Sequence, residues 1–164
     1  MKENSFFKTL LVATAACLIY GVASGIRANY GIMLSALVES SGVSYASVSF
    51  VLAVAQLMVG LVQPVVGVLA LRRSNAFVLC LGTGLMAAGL IGIPFCRSLL
   101  SLLFFLGVLL AGGTGAMAFG VVMGAVTPVI GEKKAAMVSG FVSASAGLGG
   151  MILSPLMQLL IDAA

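Results

Sequence analysis

The sequence of 164 residues has no histidine, no tryptophan and very few charged side chains. Eight basic and four acidic residues make up 7% of the chain, whereas charged residues are about 25% of an average soluble domain. A soluble fold of this length needs a polar surface that these residues do not supply, so we expect lipid to surround most of the chain. Disorder is excluded too, because it requires low hydrophobicity and high charge.

The missing side chains also exclude most hydrolytic and metal chemistry. The three cysteines, Cys17, Cys80 and Cys96, are an odd set without metal-ligand spacing, and the default interpretation is that they are small hydrophobic residues. The four acidic residues lie near the termini or in predicted loops, which excludes proton coupling through a carboxylate of this chain alone. We expect no enzymatic activity, no cofactor, no metal and no nucleic-acid partner.

Long uncharged runs separate the charged positions. A helix needs about 20 apolar residues to cross the hydrocarbon core of a bilayer. The runs do not alternate polar and apolar residues, which argues against barrel strands. The sequence therefore predicts an all-α, polytopic membrane bundle that forms one domain, residues 1–164. The five predicted spans cover about residues 7–33, 46–70, 75–95, 99–125 and 135–160.

The basic residues predict the orientation. With a cytoplasmic N-terminus, six of them fall on the cytoplasmic side and only Arg97 on the other, as the positive-inside rule requires. The six are Lys2, Lys8, Arg72, Arg73, Lys133 and Lys134. We expect a multi-pass protein of the cell (inner) membrane whose C-terminus lies outside.

Small residues recur every fourth position in the third and fourth predicted spans. Such ridges let helix backbones approach closely in lipid. Tight static packing explains each glycine separately, whereas smooth faces on several helices also suit helices that rock against one another. The ridges are Gly84, Ala88 and Gly92, then Gly112, Ala116, Gly120 and Gly124.

Two prolines indicate an internal repeat. Pro64 and Pro155 lie 91 residues apart, and the same shift places Gly21 on Gly112. Spans one and two would then correspond to spans four and five in the opposite orientation. Inverted repeats of this kind are typical of secondary transporters.

Several motifs resemble one transporter family. The stretch 21–67 is similar to the first two helices of major facilitator superfamily transporters, and most similar to the branch of oxalate/formate antiporters and monocarboxylate porters. Residues 67–73 resemble the signature loop Gly-x-Leu-Ala-Asp-Arg of that family. The motifs are Gly25-Ile26-Arg27, Tyr30-Gly31-Ile32-Met33, Gly60-Leu61-Val62-Gln63-Pro64-Val65-Val66-Gly67 and Glu132-Lys133-Lys134-Ala135.

Three departures limit the resemblance. Leu71 stands where the signature loop has its acidic residue, Ser74 stands where a glycine is usual, and the fourth span lacks the arginine of many proton-coupled relatives. The family has twelve helices in two halves, whereas five are predicted here. We therefore expect the N-terminal part of a transporter without its sixth helix, partnered by a missing C-terminal half or by another membrane protein.

Arg27 is the first candidate for substrate binding. A cation within a span is kept mainly where it faces a water-filled cavity or a partner, and a guanidinium binds carboxylates through paired hydrogen bonds. The alternative is that Arg27 extends to the lipid headgroups. Asn29 and Tyr30 are neighbouring candidates, with an interfacial aromatic belt as the alternative for Tyr30.

Gln56 and Gln63 lie two helical turns apart and share a face of the second span, so their amides either line a pathway or bond neighbouring helices. The resemblance and the glycine and proline pattern assign conformational or gating roles to a further set of residues. These are Pro64, Gly67, Arg72 and Pro155.

Together these features predict secondary-active transport of a small organic anion, a monocarboxylate or dicarboxylate, by alternating access. The lipid bilayer and the small-molecule substrate are the expected partners. The alternative is a truncated, non-transporting membrane protein that acts only through association with other helices.

Overall fold

The structure, a computed structural model, describes residues 2–162 and the side chains of residues 7–161. Helices connected by short turns occupy nearly all of this range, and no strand occurs within it. The α-helices are α1 (Lys2–Ala28), α2 (Tyr30–Ser41), α3 (Tyr45–Arg72), α4 (Asn75–Gly92), α5 (Leu99–Leu102), α6 (Ala111–Ala116), α7 (Phe119–Ile130) and α8 (Glu132–Asp162). A 3₁₀ turn, Ile93–Phe95, follows α4, and a π-helical segment, Leu103–Leu110, joins α5 to α6.

Five stretches of the described chain are long and apolar enough to cross a membrane, which confirms the predicted helical membrane bundle. Their outer faces carry many exposed large apolar side chains, which contact the bilayer. We number the stretches as spans one to five. They are Phe7–Ala28, Tyr45–Arg72, Asn75–Phe95, Leu99–Ile130 and Glu132–Ile161.

Two interruptions of α-helical geometry bear on the site, one directly after span one and one within span four. In span one the helix stops at Ala28, Asn29 leaves helical geometry with ψ near 10°, and α2 continues beyond it as far as Ser41. In span four, residues 117 and 118 interrupt the helix between α6 and α7. The predicted first span, residues 7–33, therefore runs across a break.

Spans one and five pack together through backbone approach. A Cβ atom added at Gly25 would lie 2.6 Å from the carbonyl carbon of Gly149, and one added at Gly149 would overlap the carbonyl of Gly21. Only glycine permits such an approach, and close van der Waals contact is what holds helices together in lipid. This glycine contact is the most extensive helix pairing in the described chain.

A second close approach joins spans three and four. A Cβ atom at Gly113 would lie 2.5 Å from the Met86 amide nitrogen and 2.6 Å from the Gly82 carbonyl oxygen. The predicted ridges are covered in part: Gly92, Ala116 and Gly124 contact neighbouring helices, whereas a Cβ atom added at Gly84, Gly112 or Gly120 would meet nothing within 4 Å. Residue spacing identifies a helix face, whereas the neighbouring helices decide which of two adjacent glycine faces is covered.

Span two packs against span four, and the apolar core between them contains Val51, Ala55, Leu106 and Leu110. Under the 91-residue shift, span one corresponds to span four and span five to span two. The same shift therefore relates the contact between spans one and five to the contact between spans four and two. The inverted repeat itself stays a prediction.

Polar contacts at the helix ends show which loops lie together. Lys134 donates a hydrogen bond from Nζ to the Thr9 hydroxyl at 3.3 Å, so the turn before α8 lies beside the first turns of span one. At the opposite end, Arg97 donates from Nη1 to the Ser40 carbonyl at 2.7 Å. Two exposed glutamates, Glu39 and Glu132, lie at these opposite ends.

The first prediction concerns orientation. In a variant with Cys17, Cys80 and Cys96 replaced by alanine, we expect Glu39→Cys to react with a membrane-impermeant maleimide in intact cells. We expect Glu132→Cys to react only after permeabilisation, because the positive-inside rule predicts that the end with six basic residues is cytoplasmic. The two substitutions are matched, since each replaces an exposed glutamate. The reverse labelling pattern would contradict the orientation.

The second prediction tests the glycine contact. Gly149→Ala places a Cβ against Gly21 and is expected to destabilise the fold by about 1–3 kcal/mol through overpacking. Gly147→Ala is the matched control, because a Cβ at that position meets nothing within 4 Å. Thermal unfolding in detergent measures both. Equal melting temperatures for the two variants would show that the close approach does not exist.

Candidate functional site

A cavity of about 390 Å³ opens between spans one, two and four. Arg27 and Gln63, predicted from separate features of the sequence, both lie in its wall. The cavity lies beside the break in span four, whose two residues also line it. The lining residues are Tyr20, Ala23, Ser24, Arg27, Val59, Gln63, Thr114, Met117, Ala118, Phe119 and Gly120.

Arg27 is the one charged side chain in this wall. It lies in the last turn of α1 and is half-buried. Among the described residues, none forms an ion pair or a hydrogen bond with its guanidinium. A cation within a membrane span that has no protein partner is tolerated where it faces water or an anion. The cavity supplies such a face.

Gln63 lies in α3 immediately before Pro64, and its exposed side chain borders the cavity. Gln56 is also exposed on α3, but it lies two turns away and outside the cavity wall. Gln56 and Gln63 thus have the predicted spacing of two helical turns on α3, but only Gln63 lines the cavity.

Three hydroxyl-bearing residues in the wall complete its polar side. Tyr20 stacks edge-on against Phe119 with ring centroids 5.8 Å apart, and Thr114 donates its hydroxyl to the Ala111 carbonyl at 3.0 Å. None of the three is among the site residues predicted from the sequence, although Tyr20 and Ser24 share a helix face with Arg27. Their spacing with Arg27, four and then three residues, is a one-face helical pattern that would have indicated them.

The break in span four directs a helix N-terminus toward the cavity. α7 begins at Phe119, which lines the cavity together with Gly120, and no side chain caps this helix start. The first amides of a helix form the positive end of its dipole. The break therefore adds backbone donors and partial positive charge to the cavity wall.

Asn29 lies outside the cavity, at the break in span one. It is 2% exposed, and its amide nitrogen donates to the carbonyls of Gly25 at 2.7 Å and Gly150 at 3.4 Å. Its amide oxygen accepts from the Ser154 hydroxyl at 2.5 Å. The side chain therefore ties the end of α1 to α8.

Tyr30 is the first residue of α2 and is 4% exposed. The alternative that placed it in an interfacial aromatic belt is wrong, because its ring is buried inside the bundle. Its hydroxyl lies near Thr114 and Arg27, two residues of the cavity wall. No described residue completes a hydrogen bond with it.

The residues assigned to gating lie on exposed parts of the bundle. Pro64 and Pro155 interrupt the amide series within α3 and α8, since proline has no N–H to donate. A Cβ at Gly67 would meet nothing within 4 Å. Arg72 ends α3, and two residues later Ser74 caps α4 by accepting from the Phe77 amide at 3.1 Å.

Comparison with known proteins places the whole arrangement in context. Residues 16–164 match the Major Facilitator Superfamily. The chain is also similar to monocarboxylate transporter 11 of Mus musculus, with 30% identity over 152 residues that cover 93% of this chain. The chain spans about a third of the length of that curated relative, 34%. No solved structure matches it.

The five apolar helical spans are consistent with the family that matches residues 16–164. The chain belongs to the Major Facilitator Superfamily of membrane transporters.

Proposed function

We propose that this chain forms the substrate-binding part of a secondary-active transporter for a small organic anion, a monocarboxylate or dicarboxylate, moved by alternating access. The observation that carries the proposal is Arg27, a half-buried cation without a protein partner in the wall of a cavity between three spans. The name of the mouse relative is consistent with a carboxylate as substrate.

The charge distribution of the cavity favours an anion. Arg27 approaches from span one, the N-terminus of α7 lies in the wall from span four, and no acidic residue lines the cavity. A guanidinium pairs with both oxygens of a carboxylate, and helix N-termini at a break bind anionic groups in transporters of this general design. The cavity volume of about 390 Å³ lies within the range of small-molecule sites.

The remaining residues have supporting roles in the proposal. Gln63 donates a hydrogen bond to the substrate, and Gln56 extends the polar path along α3. Asn29 holds the break in span one in place, because its amide is already bonded to Gly25, Gly150 and Ser154. Rocking of the bundle during alternating access involves a set of residues at the proline kinks and the loop between spans two and three. These are Pro64, Gly67, Arg72 and Pro155.

A second candidate function is a non-transporting membrane protein that acts through association with other helices. The exposed amide of Gln56 favours it, since no described residue bonds this side chain and a lone amide is costly in lipid. Uptake by the purified chain in liposomes separates the two. Uptake by the chain, alone or with added membrane partners, supports the first candidate, and association with other membrane helices without any uptake supports the second.

The third prediction concerns Arg27. In proteoliposomes that contain the full chain, Arg27→Ala is expected to lower the uptake of radiolabelled lactate or succinate about 30-fold or more, since the variant lacks the cation for the carboxylate. Arg27→Lys keeps the charge without the planar fork and is expected to retain partial uptake.

The control for Arg27 is Lys133→Ala, which removes an exposed cation far from the cavity. Its uptake should equal that of the unsubstituted chain. If Arg27→Ala transported both carboxylates at the control rate, the anion site would have to lie elsewhere.

The fourth prediction separates the two glutamines. Gln63→Leu is expected to raise KM for the transported carboxylate about fivefold, as it removes one neutral hydrogen bond from the cavity wall. Gln56 lies outside the cavity wall, so Gln56→Leu is expected to change KM by less than about twofold relative to the unsubstituted chain. An equal rise for both variants would show that the binding site extends along α3 beyond the cavity.

A further inference from the structure

The cavity has two chemically different ends along α1. Arg27 lines one end, and Tyr20 lines the other, seven residues earlier on the same helix face. Seven residues are about two helical turns, or about 10 Å along the helix axis. Ala23 and Ser24, both small, line the cavity between them. A ligand paired with Arg27 therefore meets no bulky side chain of α1 within the described wall until it reaches Tyr20.

The Tyr20 end of the cavity is aromatic. Tyr20 packs edge-on against Phe119 of α7 with ring centroids 5.8 Å apart, and both rings are partly buried. The same two side chains pack against an apolar cluster that contains Ala16, Val122 and Val142. Because the rings contact this cluster and also line the cavity, they close that end of the cavity with apolar surface.

The charged groups of the wall match a single carboxylate. Among the described residues, Arg27 is the one cation that lines the cavity. The N-terminus of α7, at Phe119 and Gly120, adds the equivalent of only about half a charge. A second carboxylate placed against the two rings would lose its water without gaining a full countercharge. The aromatic end therefore favours an uncharged, apolar group.

We propose that Tyr20 and Phe119 are specificity-determining residues that hold the hydrocarbon tail of a monocarboxylate whose charged end pairs with Arg27. Aromatic side chains bind apolar groups through their large surface, and they bind other rings through edge contacts as well. The ligand is thus a monoanion whose aliphatic or aromatic tail reaches from Arg27 to the two rings. This inference rests on the proposed transport of organic anions and narrows it, because it excludes dicarboxylates.

The test is the affinity of the purified full chain in detergent for acetate, 3-phenylpropionate and succinate, measured by isothermal titration calorimetry. We expect 3-phenylpropionate to bind about tenfold or more tightly than acetate or succinate, since one fitting apolar group changes discrimination by that much. Phe119→Ala is expected to weaken the binding of 3-phenylpropionate about tenfold and to change that of acetate by less than about twofold.

Phe141→Ala is the matched control, because Phe141 is an exposed phenylalanine of α8 outside the cavity wall. It should leave all three affinities unchanged. Phe119→Leu keeps apolar volume without the ring and is expected to weaken the binding of 3-phenylpropionate about threefold. Thermal unfolding of each variant is measured alongside, and Phe119→Leu keeps the test decisive if alanine at this position unfolds the chain.

Two results would overturn the inference. Equal weakening of acetate and 3-phenylpropionate in Phe119→Ala would show that the two rings act on the fold alone. Succinate binding as tight as that of 3-phenylpropionate would show that the aromatic end does not select against charge.

The variants at Arg27 and Phe119 separate this inference from the proposed function. If Arg27→Ala abolishes the binding of all three carboxylates while Phe119→Ala keeps the original preference, the anion site stands and the role of the two rings fails. If Arg27→Ala leaves all three affinities unchanged, the proposed anion site itself fails, and the inference fails with it.

Discussion

The packing of α1 on α8 through Gly21, Gly25 and Gly149 is the contact on which the rest of the site depends. Apolar side chains gain little by meeting one another in lipid, so the two helices hold together through close backbone contact. The contact continues into the bonds from Asn29 to Gly150 and Ser154. It therefore fixes the end of α1, and with it the position of Arg27.

The same contact makes a broken helix tolerable. In a bilayer, irregular backbone persists only where protein or a water-filled cavity surrounds it. The break at Asn29 is enclosed by α8, and the break at residues 117–118 borders the cavity. A group that prefers anions lies near each break and lines the same cavity: the guanidinium of Arg27 near the first and the N-terminus of α7 at the second. Unpaired backbone groups must be kept out of lipid, and this one requirement places the helix breaks beside the groups that favour anions.

Much of the architecture follows from residue patterns. Long uncharged runs predict five spans because the bilayer thickness sets their length, and five are present. The positions of Arg27 and Gln63 in the cavity wall were predictable, because a charge or an amide within a membrane span needs a polar surrounding. The glycine ridges were less predictable. Gly112 and Gly113 are adjacent, equally small and both buried, and only the position of Met86 on the neighbouring helix decides at which of them a Cβ atom would clash.

The sequence by itself determined that this chain lies in the membrane, how many times it can cross, and that Arg27 lies outside the predicted loops. These properties follow from composition and spacing, which act locally. Only the tertiary structure decided that Gln63 and not Gln56 borders the cavity, that Asn29 bonds α8, and that the Tyr30 hydroxyl has no partner. The physical reason is that hydrogen bonding and burial depend on the neighbouring helices, and the residues that supply those neighbours lie more than a hundred positions away along the chain.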